Sequence, residues 1–347
     1  MIIIPTLLQK LEDLYKLKDP IFLEFITEGF LTENVVIGAG DKKYFLKKYR
    51  FDREEKIQEI HAVKEYFSKE EIPVIMPIKT LSSLTYFEHE KAYFALFPFI
   101  EARKLSIAPL RSPRKAEKVS DEAIRSFGAM LGKIHLAGKK STLKISDSFR
   151  PWNKELFLER ATLLIEKVEA INPKSDFDEL ALKSLRLKKD LVERSTIAYN
   201  EFNFTNDHLI HGDYLLGNVF FDDEDHVSHV FDFEKAAMAP RAYELFRGMS
   251  HSLIYAPINH ETLREAKLYL DAYLMIYPMS KNELKNGFKL FYQKVIYSLW
   301  VESEHYNNEN KRVDLLLESD FNRVKYFSEN FEKMEGEWLG KSPAFSL

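Results

Sequence analysis

Hydrophobic positions fall into two rhythms along the chain. From about residue 21 to residue 100 they come in short runs, IFLEFI, NVVI, KYFLKKY and KAYFALFPF, separated by polar turns. Runs this rich in β-branched and aromatic residues predict strands. The sequence GAGD, between Ile37 and Tyr44, offers residues that accept positive φ and predicts a hairpin. One segment breaks the pattern. In DREEKIQEIHAVKEYF, residues 52–67, Ile57, Ile60, Val63 and Phe67 recur every three or four positions. That spacing predicts an amphipathic helix, with Asp52 and Glu55 as a capping box and Pro73 beyond its end.

Beyond a polar, proline-containing connector at 101–118 the period becomes helical. Helices are predicted over residues 121–137, 154–170, 178–199, 240–255, 261–275, 281–306 and 312–331. The exception is 208–233, where apolar doublets return with strand-like spacing. The expected class is therefore α+β. A small antiparallel β-rich lobe with one key helix spans 1–100, and a larger, mainly helical lobe with an inserted strand pair spans 101–347.

Composition adds exclusions. With 45% hydrophobic and 30% charged residues the chain should bury an ordinary core, and 347 residues suit two lobes. A net charge of −4 with no basic stretch argues against a nucleic-acid partner. The absence of cysteine excludes disulfides, thiolate catalysis and cysteine-ligated zinc, and fits a reducing compartment. MIIIPTLLQK lacks the leading basic region of a secretory signal, and the apolar run at 92–100 is far short of the ~20 residues a membrane helix needs. A soluble, cytoplasmic protein is expected; nothing in the sequence fixes its oligomeric state.

Several motifs miss. GEWLGKS at 336–342 has one residue too few between its glycines for a phosphate-binding P-loop, and residues 128–133 lack the hydroxyl residue. For a calcium loop starting at Asp222, the glycine and glutamate positions hold Val227 and Phe233. His226 and His229 have no further ligands spaced to hold zinc, and no serine-hydrolase elbow occurs.

One combination does not miss. His211, Asp213 and Asn218 reproduce the H-x-D-x-x-x-x-N spacing of a kinase catalytic loop, and Asp232 follows between Phe231 and Phe233. An Asp can accept the proton of an attacking hydroxyl. The carbonyl oxygen of an Asn and the anionic oxygen of an Asp suit Mg²⁺. Polar turn residues between strands would explain either element alone, but not both in this order. Lys47, two positions after Phe45 on its strand, is the candidate phosphate-anchoring lysine, with Lys48 on the opposite face as the alternative. Glu59, mid-helix beside Ile60 and Val63, is the preferred carboxylate partner for that lysine, whereas Glu55 reads as a cap. EGFLTEN at 28–34, with Gly29 and Asn34, is the candidate hairpin over the phosphates. LFPFI at 96–100, with Phe97 and Phe99, ends the β-rich lobe where an inter-lobe hinge would offer backbone groups to adenine, and also reads as a buried strand.

EGFLTEN, YFLKKY, the Glu59 helix ending in EEIPV, FPFIEA, LGKIH, LIHGDYLLGNVFF, VFDFE and PRAYEL occur in order between residues 28 and 245. With them the chain resembles the aminoglycoside phosphotransferase and choline kinase superfamily, the small-molecule branch of the protein-kinase-like fold. The resemblance implies ATP- and Mg²⁺-dependent transfer of the γ-phosphate to a hydroxyl of an aminoglycoside, amino alcohol, homoserine or sugar. It makes Asp213 the catalytic base, Asn218 and Asp232 the metal ligands, and Lys47 with Glu59 the phosphate-anchoring pair. The chain departs from many relatives in having Leu215 and Leu216 for a His-Pro pair, and Glu244-Leu245 for an Asp-Leu. Trp152, Tyr214, Tyr297 and Trp300 could cage a cationic amine or belong to the core. The alternatives are a bacterial protein serine/threonine kinase of the same superfamily and a nucleotide-binding regulatory protein without turnover.

Overall fold

The computed structural model describes residues 4–26, 34–105, 119–202, 204–254 and 258–339. The chain divides into two units, Met1–Arg103 with Ser228–Glu234, and Lys104–Val227 with Lys235–Leu347. The segment Ser228–Glu234 thus groups with the N-terminal residues, although by position it falls within the lobe expected over 101–347.

The first unit is built on an antiparallel sheet. Its strands are β1 (Ile21–Ile26), β2 (Asn34–Ala39), β3 (Lys42–Lys48), β4 (Phe87–His89) and β5 (Ala92–Pro98), in the order β1-β2-β3-β5-β4. The expected β2–β3 hairpin closes between paired Ala39 and Lys42, with Gly40 at φ 58° in the left-handed region a tight turn requires. Val35 pairs with Leu46 and Leu46 with Leu96, so the three share a face. They form one core with Leu7 and Leu11 of α1 (Ile4–Tyr15), a helix the sequence reading missed. Pro5 obscured it there, yet proline is tolerated in a helix's first turn, where its missing N–H has no partner to lose.

The opposite face carries Phe45, paired with Phe97, and Lys47, paired with Ala95. Helix α2 (Glu54–Lys69) buries Ile57, Ile60, Val63 and Phe67, as their spacing predicts. Its capping box is absent: Arg53 is the N-cap and makes no side-chain bond. The helix begins two residues past Asp52, which leaves Glu55 too early in the first turn to reach back. The segment Ser228–Glu234 is tied in through backbone bonds from Ile75 to the Val230 carbonyl (3.1 Å) and from Val230 to the Pro73 carbonyl (2.8 Å).

In the second unit α3 (Asp121–Lys139), capped by Ser120, is packed against α7 (His260–Ile276). Gly128 and Gly132 make this crossing close. A Cβ on Gly128 would lie 2.2 Å from the Tyr269 carbonyl oxygen, and one on Gly132 2.8 Å from Ile276. The glycines that mimic a phosphate loop therefore serve helix packing. Helices α4 (Lys154–Glu169) and α5 (Asp176–Arg194) pack against each other, α5 opening with a capping box between Ser175 and Asp178. α6 (Arg241–Leu253) is packed on α7 and α8 (Lys281–Ile296). The single helix expected over 281–306 is two, α8 and α9 (Trp300–Asn308), broken where Tyr297 turns in against Phe157 and Trp152. α10 (Leu317–Leu339) ends the described chain.

The short strand β6 (His208–Ile210) pairs antiparallel with β9 (Ala237–Ala239) beneath α3, with Gly138 against the Leu209 carbonyl. The two apolar runs that flank the acidic turn are β7 (Val219–Phe221) and β8 (Val227–Val230). The turn is held by Asp222, whose side chain accepts from the backbone N–H of Glu224 and His226, as a solvated loop would be. Among the described residues no helix is long and apolar enough to cross a membrane.

Gly128→Ala should force α3 and α7 apart and lower the free energy of unfolding by about 1–3 kcal/mol, read as a lower urea midpoint.

Candidate active site

In the second unit the HGD turn leaves β6 and is fixed before its side chains come into play. Gly212 has φ 83°, and a Cβ there would sit 1.7 Å from the Lys235 carbonyl oxygen, so only glycine fits. The fully buried Glu244 of α6 accepts the backbone N–H groups of His211 (3.0 Å) and Gly212. Its Oε2 also lies 3.0 Å from Nε2 of the buried His135 on α3. Burial pushes the Glu244 carboxyl up, but His135 and the backbone donors outweigh it and leave the pKa below its usual value. Burial keeps His135 neutral. Its Nε2–H then donates to Glu244, and its Nδ1 accepts from the Tyr273 hydroxyl at 2.9 Å.

The loop beyond is equally tied. The Asp213 N–H donates to His211 Nδ1 (3.2 Å), and the Asn218 amide nitrogen donates to the Asp213 carbonyl (2.8 Å). The latter bond leaves Asn218 Oδ1 as the atom on offer to a cation. Tyr214, a suggested cage residue, is instead fully buried, stacked on Phe127 at 4.5 Å with its hydroxyl on the Phe127 carbonyl. Leu216 is buried as well, its N–H bonded to the Ser252 hydroxyl. The Asp213 carboxylate meets Lys235 through Oδ2 (2.9 Å) and Arg247 of α6 through Oδ1. Burial opposes its charge, but the two cations prevail and hold the carboxyl far below the usual range.

In the first unit Lys47 is buried and pairs with Asp232 and Glu234, each at 2.7 Å. Burial works against the ammonium, but these two carboxylates raise its pKa well above normal. Asp232 adopts φ 67°, unusual for a residue with a Cβ and frequent where function dictates backbone shape. Phe233 is buried against Phe67 of α2, and Arg50 reaches Glu234 at 3.4 Å.

The expected Lys47–Glu59 pair is not the one formed. Glu59 is bonded to Lys56 on its own helix at 2.7 Å. The reason is helical: Glu59 lies on a row with Lys56 and Val63, whereas the row of Ile57, His61 and Lys64 faces the Lys47 side of the sheet. There His61 Nε2 meets the Tyr49 hydroxyl at 2.7 Å, and the Lys64 ammonium sits 4.3 Å over the Phe97 ring and donates to the Ile75 carbonyl. Burial brings His61 down to about 3, so it is neutral. Burial, then the neighbouring Lys47, bring Lys64 down to about 7, against the opposing pull of Asp232 and Glu234.

The sequence-derived residues thus fall into two groups. Lys47 and Asp232 are brought together in the first unit, with Asn34 opposite Lys47 in the strand register. Phe97 is a buried strand residue beneath Lys64, and Phe99 lies under Lys43 at 5.4 Å. Asp213 and Asn218 are brought together in the second unit. Gly29 lies outside the described residues. Sequence reasoning missed Glu234, Lys64, Lys235, Arg247 and the anchoring role of Glu244; only Glu234, beside a recognised Asp-Phe, and Glu244, at the Asp-Leu position of the resemblance, carried any signal.

The phosphotransferase enzyme family model, APH, matches residues 23–274, most of the chain. Similar solved structures include a spectinomycin phosphotransferase bound to ADP and spectinomycin, 16% identical, covering 98% of both chains with a TM-score of 0.59. A microcompartment-associated aminopropanol kinase is 14% identical, covering 96% of this chain and 99% of its own, TM-score 0.62. An amicoumacin kinase bound to AMP-PNP and Ca²⁺ is 17% identical, covering 90% and 93%, TM-score 0.53. No curated protein matches the sequence. The fold is protein-kinase-like, and the chain belongs to the APH family of phosphotransferase enzymes.

Lys64 has a measurable consequence. Between its folded value of about 7 and its ordinary 10.5, the unfolded chain holds a proton that the folded chain does not, so this group makes stability rise with pH. Lys64→Met removes that slope. Its melting temperature should exceed the wild type's most near pH 7, with the gap closing toward pH 10; a gap independent of pH would contradict the assignment.

Proposed function

We propose that this enzyme transfers the γ-phosphate of ATP to a hydroxyl group of a small molecule, with Mg²⁺ as cofactor. The observation that carries the reading is Asp213: a carboxylate held anionic by Arg247 and Lys235 in a loop whose backbone is locked by Glu244. Phosphoryl transfer leaves little covalent work to the protein beyond positioning and charge stabilisation. An aspartate held this acidic is a poor proton abstractor but a good acceptor for orienting a hydroxyl, taking its proton as the bond to phosphorus forms. Arg247 secures one oxygen. Lys235, 45% exposed, holds the other and is the partner an incoming hydroxyl would displace.

The donor chemistry fits Mg²⁺, which prefers hard oxygen ligands. The Asp232 carboxylate and Asn218 Oδ1 are the oxygens we assign as metal ligands. The ion would neutralise phosphate charge. Lys47 is assigned to the nucleotide phosphates, its charge guaranteed by Asp232 and Glu234. Asn34, at the start of β2, Gly29 and the backbone around Phe97 and Phe99 complete the proposed nucleotide contacts; Glu59 is bonded to Lys56 rather than to Lys47. Relatives of this fold that bind ADP or AMP-PNP support the nucleotide assignment.

With Mg-ATP and a panel of aminoglycosides, amino alcohols, sugars and a generic protein substrate, ADP release should be stimulated by a small molecule. Asp213→Asn should lower that rate by about a hundredfold or more. Stimulation by the protein alone, or a mutant as fast as wild type, would overturn the proposal.

A further inference from the structure

The second unit contains a cavity of about 610 Å³ walled by α4, α6, α8 and α9. Arg247 is part of its wall, and the same guanidinium donates to Asp213, so the cavity adjoins the aspartate assigned to the acceptor hydroxyl. Its apolar surface is largely aromatic: Trp152, Tyr297 and Trp300 line it, with Trp152 and Tyr297 rings 5.6 Å apart. Three of the four aromatics considered from sequence for a cation cage are therefore here.

The charges argue for the opposite ligand. The cavity presents Arg160, Arg247 and Lys294 against one carboxylate, Asp320. Asp320 is already committed to Lys188 at 2.7 Å and Arg323 at 3.0 Å. Arg247 is balanced by Asp213, yet its buried Nε has no hydrogen-bond acceptor among the described residues. Among the described residues Lys294 contacts the Arg150 carbonyl at 3.3 Å and the Phe149 ring at 5.0 Å and pairs with no carboxylate, and burial depresses its pKa. Arg160, exposed on α4, has no ion-pair partner among the described residues. His251 is driven neutral by burial and adds no charge. A bound cation would meet two uncompensated positive charges with no free carboxylate. A bound anion would neutralise them, and the flat walls would take an aromatic or similarly planar body.

We propose that this cavity binds the phosphate acceptor, and that the acceptor is a planar, apolar alcohol bearing a carboxylate or comparable anion rather than an amine. The assignment rests on the phosphotransferase reading only in calling the ligand an acceptor; its charge preference stands alone.

Three probes share one ring and one benzylic hydroxyl: 4-(hydroxymethyl)benzoate, benzyl alcohol and 4-(aminomethyl)benzyl alcohol. Ligand-observed NMR titration without nucleotide measures binding, and ADP release with Mg-ATP measures turnover. Wild type should bind the carboxylate about tenfold more tightly than the amine, with benzyl alcohol between, the size of one charge-assisted contact. Lys294→Glu, and separately the surface variant Arg160→Glu, should each narrow or reverse that order. Preference for the amine, no binding of any probe, or an order unmoved in both folded variants overturns the proposal. If the carboxylate binds best but no probe stimulates ADP release, the charge preference stands and the phosphotransferase reading of the cavity fails.

Discussion

A lysine buried in the face of a β-sheet sets the terms for the first unit. Desolvating an ammonium costs several kcal/mol unless carboxylates accompany it. Lys47 takes both of its carboxylates, Asp232 and Glu234, from a segment 185 residues further along, and Phe233 packs between them on Phe67. That requirement explains why Ser228–Glu234 belongs with the N-terminal sheet, and why Asp232 tolerates φ 67°. It also leaves α2 free of its expected duty. With Lys47 neutralised by the later segment, the helix can present His61 and Lys64 where a glutamate was anticipated, and Lys64 carries the electrostatic strain.

The second unit solves a related problem with the opposite sign. Glu244 is a buried anion satisfied by two backbone N–H groups of the HGD turn and by neutral His135. It acts as a template: the donors it requires fix the turn, and the turn in turn points Asp213 at Arg247 and Lys235. From α6 Glu244 holds the loop, while Leu216 and Tyr214 fill the core behind it.

Much of this was legible in the chain. Alternation in KYFLKKY placed Lys47 on the face of Phe45, and H-x-D-x-x-x-x-N placed Asp213 and Asn218 in one loop; the pairings found for both are local or follow from strand period. What was hidden depends on tertiary choice. Which carboxylate serves Lys47 could not be read from helix position, because Glu59 and a competitor almost two hundred residues away are equal by residue type. Arg247 and Lys235 look like ordinary surface cations in sequence, as do Arg160 and Lys294. Trp152, Tyr297 and Trp300 read in sequence as a cation cage or as core, and the choice turns on charges, among them Arg160 and Lys294, that only the fold gathers around them. Helix α1 was concealed by a proline that a first turn tolerates, and the α8–α9 break by a helical period that continues across it.

As proposed, the Lys47–Asp232 cluster is the nucleotide-phosphate and metal end of a phosphotransferase. Calorimetric titration of AMP-PNP into the protein with and without Mg²⁺ tests it most directly, beside Asp232→Ala, in which Glu234 still neutralises Lys47. The account predicts that wild type binds the nucleotide far more tightly with Mg²⁺, and that Asp232→Ala loses this dependence while keeping metal-free binding. Equal affinity of the wild type with and without Mg²⁺, or an unchanged metal dependence in the variant, would contradict it.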